Sequence, residues 1–139
     1  MGGYVAGQVI KQMIASDLTI KDANAIVLGM TFKENCPDVR NSRVIDIVRE
    51  LQSFGVRTWV HDPLADADEC RREYNVELTR WEDLPRAAAM VVAVSHNEYA
   101  ELGITALAER VVPGGVFADV KCAFKPDAVR GAGLRLWRL

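Results

Sequence analysis

Short apolar runs that break straight into polar loops, with helix-patterned segments between them, constrain this chain more than any other feature of its sequence. Ala25-Ile26-Val27-Leu28-Gly29-Met30 contains no polar side chain, and neither does Met90 to Val94. A strand of that kind has no face to give to water, so it reads as buried on both sides, as strands of a parallel sheet are. Val44, Ile47, Val48, Leu51 and Phe54 recur at steps of one or three residues along one helix face. Gly55 then stands where a left-handed stop belongs.

The same alternation extends along the chain. Residues 4 to 20 carry Tyr4, Val5, Val9, Ile10, Met13, Ile14 and Leu18 at helical spacing and read as a leading helix. Val56 to His61 reads as a second strand, ended by Asp62-Pro63. Residues 66 to 74 read as a polar helix, Val76 to Leu78 as a short strand, and Trp81 to Ala88 as a brief helix. Ile104 to Arg110 reads as helical, Val116 to Val120 as a strand after the Pro113-Gly114-Gly115 turn, and residues 134 to 138 as a final edge strand. Strand and helix therefore alternate, which predicts a three-layer α/β/α open sheet. The expected fold is Rossmann-like and mostly parallel, with five to six strands preceded by one helix.

The 139 residues suit one domain, and half of them are hydrophobic, enough for a core. Seventeen basic and 19 acidic residues nearly cancel, so no basic surplus points to nucleic acid. The longest apolar runs, such as Ala87 to Val94, are too short to span a bilayer. No signal peptide is read at the N-terminus. Cys36, Cys70 and Cys122 are widely spaced and lack CxxC pairs, against a disulfide framework or a zinc site. A reducing, cytoplasmic compartment is expected.

In an open α/β sheet, ligands bind beyond the carboxyl ends of the strands. Segments 31–42, 61–64 and 119–123 should converge there, bringing Lys33, Asp38, Arg40, Asp62, Asp119 and Lys121. A helix beginning near Ser42 would add free backbone N–H groups to that edge. Lysine, arginine and a helix start favour an anionic ligand, with phosphate the natural guess. The alternative is that Asp38 and Arg40 simply pair or cap the loop. A dinucleotide fingerprint is missing, because no glycine follows Gly29 until Gly55. Gly29-Met30 offers no acid cluster of the kind a flavodoxin-like phospho-receiver needs. His61 and His96 have no neighbouring partner set in the sequence and read as structural or surface residues rather than metal ligands or bases. Asp62-Pro63 reads as a turn.

The run VLGMTFKENCPDVRNSRVIDIVRELQSFGVRTWVHDP resembles the UDP-glucose/GDP-mannose dehydrogenase family, in its C-terminal nucleotide-sugar-binding domain. The family pattern is a strand, G-x-x-F-K-x-x-x-x-D-x-R-x-S, a helix, and a strand ending in D-P. It is matched by Gly29, Phe32, Lys33, Asp38, Arg40, Ser42, Asp62 and Pro63. VFADVKCAF resembles the family's later strand through Asp119 and Lys121. AVSHNEYAEL and the terminal LWRL are most similar to the branch that oxidises UDP-N-acetylhexosamines.

The resemblance implies an enzyme of three parts. An N-terminal domain holds NAD, a central helical domain carries the catalytic cysteine and much of a homodimer contact, and the C-terminal domain closes over a UDP-sugar. Such enzymes oxidise the sugar C6 alcohol to a carboxylate in two NAD-dependent steps, through a thiohemiacetal and a thioester. On this resemblance residues 1–21 are the end of the central domain and 22–139 the nucleotide-sugar-binding domain. Phe32, Lys33 and Lys121 face the nucleotide-sugar, and Arg40 reaches toward NAD bound on the partner domain. Asp38 orients Arg40. Because the chain has neither the NAD fingerprint nor the catalytic-cysteine motif, it is expected to be inactive alone, as part of a dehydrogenase. A non-catalytic dimerisation or interaction module, built on the apolar stripe from Tyr4 to Leu18, is the alternative.

Overall fold

A computed structural model describes residues 2–139. Its centre is a five-stranded sheet in the order β2-β1-β3-β4-β5, parallel throughout. The strands are β1 (Asn24–Leu28), β2 (Arg57–His61), β3 (Ala87–Val92), β4 (Val111–Asp119) and β5 (Arg135–Arg138). Val76 to Leu78 contributes only one bridge, between Val60 and Leu78. The helices are α1 (Gly2–Ala15), α2 (Val44–Ser53), α3 (Ala67–Tyr74), α4 (Asn97–Ala108) and α5 (Pro126–Gly131).

The pleat divides the core. Ala25, Val27, Ala89, Val91, Val116 and Ala118 point to one face, where α1 and α2 cover them. Ile26, Leu28, Met90, Val92 and Phe117 point to the other, against Tyr99 and Leu107 of α4 and Val129 of α5. Successive residues of a strand face opposite ways, so two-sided burial needs unbroken apolar runs, and both β1 and β3 have them.

The leading helix is part of the sandwich. Val5, Ala6, Val9, Ile10 and Met13 are buried against the sheet and α2. The stripe that an interaction module would present is thus largely covered by the chain's own sheet, leaving Tyr4 and Ile14 exposed.

Several local readings differ from the structure: the leading helix ends at Ala15 rather than near residue 20, and β4 starts at Val111, so Pro113-Gly114-Gly115 lies inside the strand rather than before it. Trp81 to Ala88 is not a helix: only Trp81–Asp83 makes a 3-10 turn, and Ala87 and Ala88 already belong to β3. The helix at 104–110 begins earlier, at Asn97, and is interrupted at Gly103. The structure adds a short helix, α5, whose start signal in the sequence is Pro126 at its first turn.

Candidate functional site

The loops after β1, β3 and β4 open on one cleft of about 220 Å³ at the carboxyl edge of the sheet. Ala93 and Val94, which follow β3, lie between the two outer loops. Thr31, Phe32 and Lys33 come from the first loop, and Val120 and Lys121 from the last. Val44 and Ile47 of α2 and Gly2 and Val5 of α1 complete the wall. Lys33 and Lys121 therefore share a cavity. Arg43 joins them, a third cation that stands just beyond the D-x-R-x-S motif and so is not singled out by spacing. Phe32 is 57% exposed at the mouth of the cleft.

Among the described residues, Lys33 and Arg43 take part in no ion pair. Lys121 has only a long contact, Nζ to Glu34 Oε1 at 3.8 Å. Its turn is fixed from beneath by buried Asp119, whose carboxylate accepts from Ala123 N at 3.0 Å and Phe124 N at 2.8 Å. The start of α2 supplies less than expected. Ser42 N donates to the Tyr74 hydroxyl and Val44 N to Ser42 Oγ, so those amides are already used within the protein.

Arg40 does not line this cleft. It lies over a neighbouring groove with Pro37, Leu64, Asp66 and Glu69. Asp38 grips it: Arg40 Nε donates to Oδ1 at 3.0 Å and Nη2 to Oδ2 at 3.1 Å. The Arg40 amide also donates to Asp38 Oδ1 at 2.9 Å. The Arg40 hydrogen bonds hold the Asp38 carboxyl below the ordinary carboxylate range.

Beneath the first loop lies a buried polar cluster. Asp62, just after β2, accepts from Met30 N at 2.7 Å, Thr31 N at 3.2 Å and His96 Nε2 at 2.9 Å through Oδ2. Its Oδ1 accepts from Leu64 N at 2.8 Å and Ala65 N at 3.0 Å, making the turn expected at Asp62-Pro63. His61 is the other structural histidine. The Tyr99 hydroxyl donates to its carbonyl at 2.9 Å, and its Nδ1 meets the same hydroxyl at 2.9 Å. No sequence motif joins Asp62 to His96; the one available signal is that each is a polar residue closely following a buried strand.

A model of the UDP-glucose/GDP-mannose dehydrogenase family, UDP binding domain, matches residues 26–126. The chain belongs to that family. It is 41% identical over 103 residues to a UDP-N-acetyl-D-glucosamine 6-dehydrogenase of Salmonella typhi, covering 74% of this chain and 24% of that protein. It is 35% identical to Protein CapL of Staphylococcus aureus over 139 residues, covering all of this chain and 32% of that protein. The chain thus spans about a quarter to a third of the curated relatives it matches. In fold it is similar to an NDP-N-acetyl-D-galactosaminuronic acid dehydrogenase from Methanosarcina mazei Go1. That likeness has a TM-score of 0.81 at 20% identity and covers 98% of this chain and 29% of the other.

Within this UDP binding domain, the turn after β1 does not fit a dinucleotide pyrophosphate. Such a site needs glycine backbone open to the ligand. Gly29 instead faces Val94, whose N and O would lie 2.8 Å from a Cβ built there. The cleft also lacks a thiol among its lining residues. Cys70 is buried, and burial pushes its thiol up to about 11.

The cluster makes folding of the UDP binding domain sensitive to acid. Burial pushes the Asp62 carboxyl up, but hydrogen bonds from His96, Met30 and Leu64 outweigh it and leave it below the ordinary 3.8. Burial also holds the His61 imidazole below 6.5, against the charges of Asp62 and Glu82. Both groups bind protons more readily in the unfolded chain, so both make stability rise with pH. His61 contributes a loss as pH falls from about 6.5 and Asp62 a further loss below about pH 4. Urea midpoints measured from pH 8 to pH 3 should fall in those two windows, and Asp62→Asn should shrink the lower one, leaving the part that Asp38 and Glu77 contribute.

Proposed function

We propose that this chain is the nucleotide-sugar-binding domain of an NAD-dependent UDP-sugar 6-dehydrogenase, and that the cleft holds the UDP-sugar. The observation that carries the reading is the convergence of Lys33 and Lys121, from opposite ends of the sequence, on one cavity beside exposed Phe32. Two lysines offer point charges to a diphosphate, and Phe32 offers an apolar face to the base or sugar ring. The sugar is an N-acetylhexosamine, a choice supported by the names of relatives at 41% and 32% identity.

The groups here bind and orient; none makes or breaks a bond. By fixing the sugar nucleotide they raise its effective concentration at a nucleophile carried elsewhere in the enzyme. NAD belongs to a separate domain, and Arg40, held in place by Asp38, faces it across the domain boundary. On this reading residues 1–21 end the central domain and 22–139 form the nucleotide-sugar-binding domain, so the packing of α1 on α2 is an interdomain contact. The whole enzyme is a cytoplasmic homodimer. Among the described residues no helix is long and apolar enough to cross a membrane.

Calorimetric titration of the chain with UDP tests the reading. Lys33→Ala and Lys121→Ala should each weaken binding by about 1.5–3 kcal/mol, or roughly tenfold to a hundredfold in Kd. The affinity should also fall as salt is raised. Equal UDP affinity in the wild type and both variants would refute the assigned contacts.

A further inference from the structure

We infer that His96 is a positioning residue for the loop that carries Phe32 and Lys33. The inference rests on the binding role proposed for those two side chains. Its basis is the ring's hydrogen bonding. Asn35 N donates to His96 Nδ1 at 3.0 Å, so Nδ1 carries a lone pair and the proton sits on Nε2. That Nε2–H points at Asp62 Oδ2 at 2.9 Å, with Thr31 Oγ1 beside it at 3.2 Å. The Thr31 hydroxyl in turn donates to the Lys33 carbonyl at 3.0 Å. One buried ring therefore holds the loop on both sides of Phe32 and Lys33: at Thr31 before them and at Asn35 after them.

The far side is pinned a second time. Asn35 Oδ1 accepts from Asn97 N at 2.9 Å, tying the loop to the start of α4. Asn35 holds a left-handed backbone, φ 59°, which turns its amide toward the ring. Phe32 and Lys33 are exposed, yet they hang from a backbone whose ends are anchored in the core. An exposed lysine on a free loop would have to be ordered as ligand binds, at a cost in affinity; here the ordering is done on folding. Asp62 fixes the ring, and the ring fixes the loop.

The two ring nitrogens can be replaced separately. Asparagine places an oxygen near Nδ1 and keeps the acceptor for Asn35. Glutamine places its amide near Nε2 and keeps the donor for Asp62. The test compares His96→Gln, His96→Asn and Lys33→Ala by urea unfolding, amide hydrogen exchange at residues 31–35, and UDP titration. His96→Gln should keep most of its stability, yet show faster exchange at Asn35 and a UDP Kd raised about tenfold. His96→Asn should lose more stability and keep the loop protected and the Kd near wild type. Thr31→Val, which removes the hydroxyl from both the Lys33 carbonyl and His96 Nε2 but leaves the ring's bonds to Asp62 and Asn35 in place, serves if either His96 variant fails to fold, and should raise the Kd with little loss of stability.

Unchanged exchange at residues 31–35 in His96→Gln and Thr31→Val overturns the inference. So does a loosened loop with unchanged UDP affinity, provided Lys33→Ala does lose affinity. If the wild type and Lys33→Ala bind UDP equally, the binding role of the loop is what fails, while the exchange data still report whether His96 holds it.

Discussion

Replacing Asp62 with alanine is expected to lower the unfolding free energy by about 4 kcal/mol or more. The carboxylate accepts from five donors, of which Met30 N, Thr31 N and the His96 ring are fully buried. Each buried donor left without an acceptor costs about 1–3 kcal/mol, and the Leu64 and Ala65 amides, nearer the surface, can turn to water at little cost. A loss of this size is a large fraction of the 5–15 kcal/mol that typically holds a domain together. Asp62→Asn keeps the shape but turns an NH2 toward groups that already donate, so it should cost less than alanine and still exceed about 1 kcal/mol. Urea unfolding followed by circular dichroism reads both, with the midpoint falling and the slope unchanged. A midpoint for Asp62→Ala within error of wild type would mean that the cluster does not join β1 and β2 as described.

Gly29→Ala should be nearly as damaging, at about 3 kcal/mol. Gly29 has φ 93°, a region that costs a residue with a Cβ roughly 1–2 kcal/mol. The added carbon would also lie 2.5 Å from Val94 Cβ and 2.8 Å from both Val94 N and Val94 O. Those are mostly backbone atoms, held in turn by the bonds from Ala93 N and Val94 N to Leu28 O at 2.9 and 3.2 Å. They cannot swing aside as a side chain would, so β1 and β3 must part where both feed the cleft; overpacking of this kind costs about 1–3 kcal/mol. Calorimetry should show a melting temperature lower by roughly 10 °C. A drop of only a degree or two would place the clash elsewhere.

Much of this architecture was legible because it rests on periodicity. β1 and β3 must be apolar on both faces, and the sequence has no other way to supply that. The stretch from Ala87 to Ala89 misled for the opposite reason. Alanine is the strongest helix former, yet here its small size suits strand residues packed between helices, and tertiary packing overrides propensity. Lys33 and Lys121 could be placed on one edge because parallel strands all end on the same side. Arg43 and α1 could not, since which helix residues reach the cleft depends on how α1 and α2 lie across the sheet. The partnership of Asp62 with His96 was invisible for a related reason: it joins the ends of β2 and β3, strands that are not neighbours, and follows no spacing rule.

The first turn of α1 has a double duty. Gly2 and Val5 stand in the rim of the cleft, and Gly2 lies so close to Asp46 that no larger residue fits between the helices. Whatever pulls or rotates that segment must also move one jaw of the pocket, so its grip on a guest molecule is mechanically geared to the chain's leading end. Shaving the helix away to obtain a smaller version would strip Val91, Val116 and Ala118 of their cover and leave the vise with a single side.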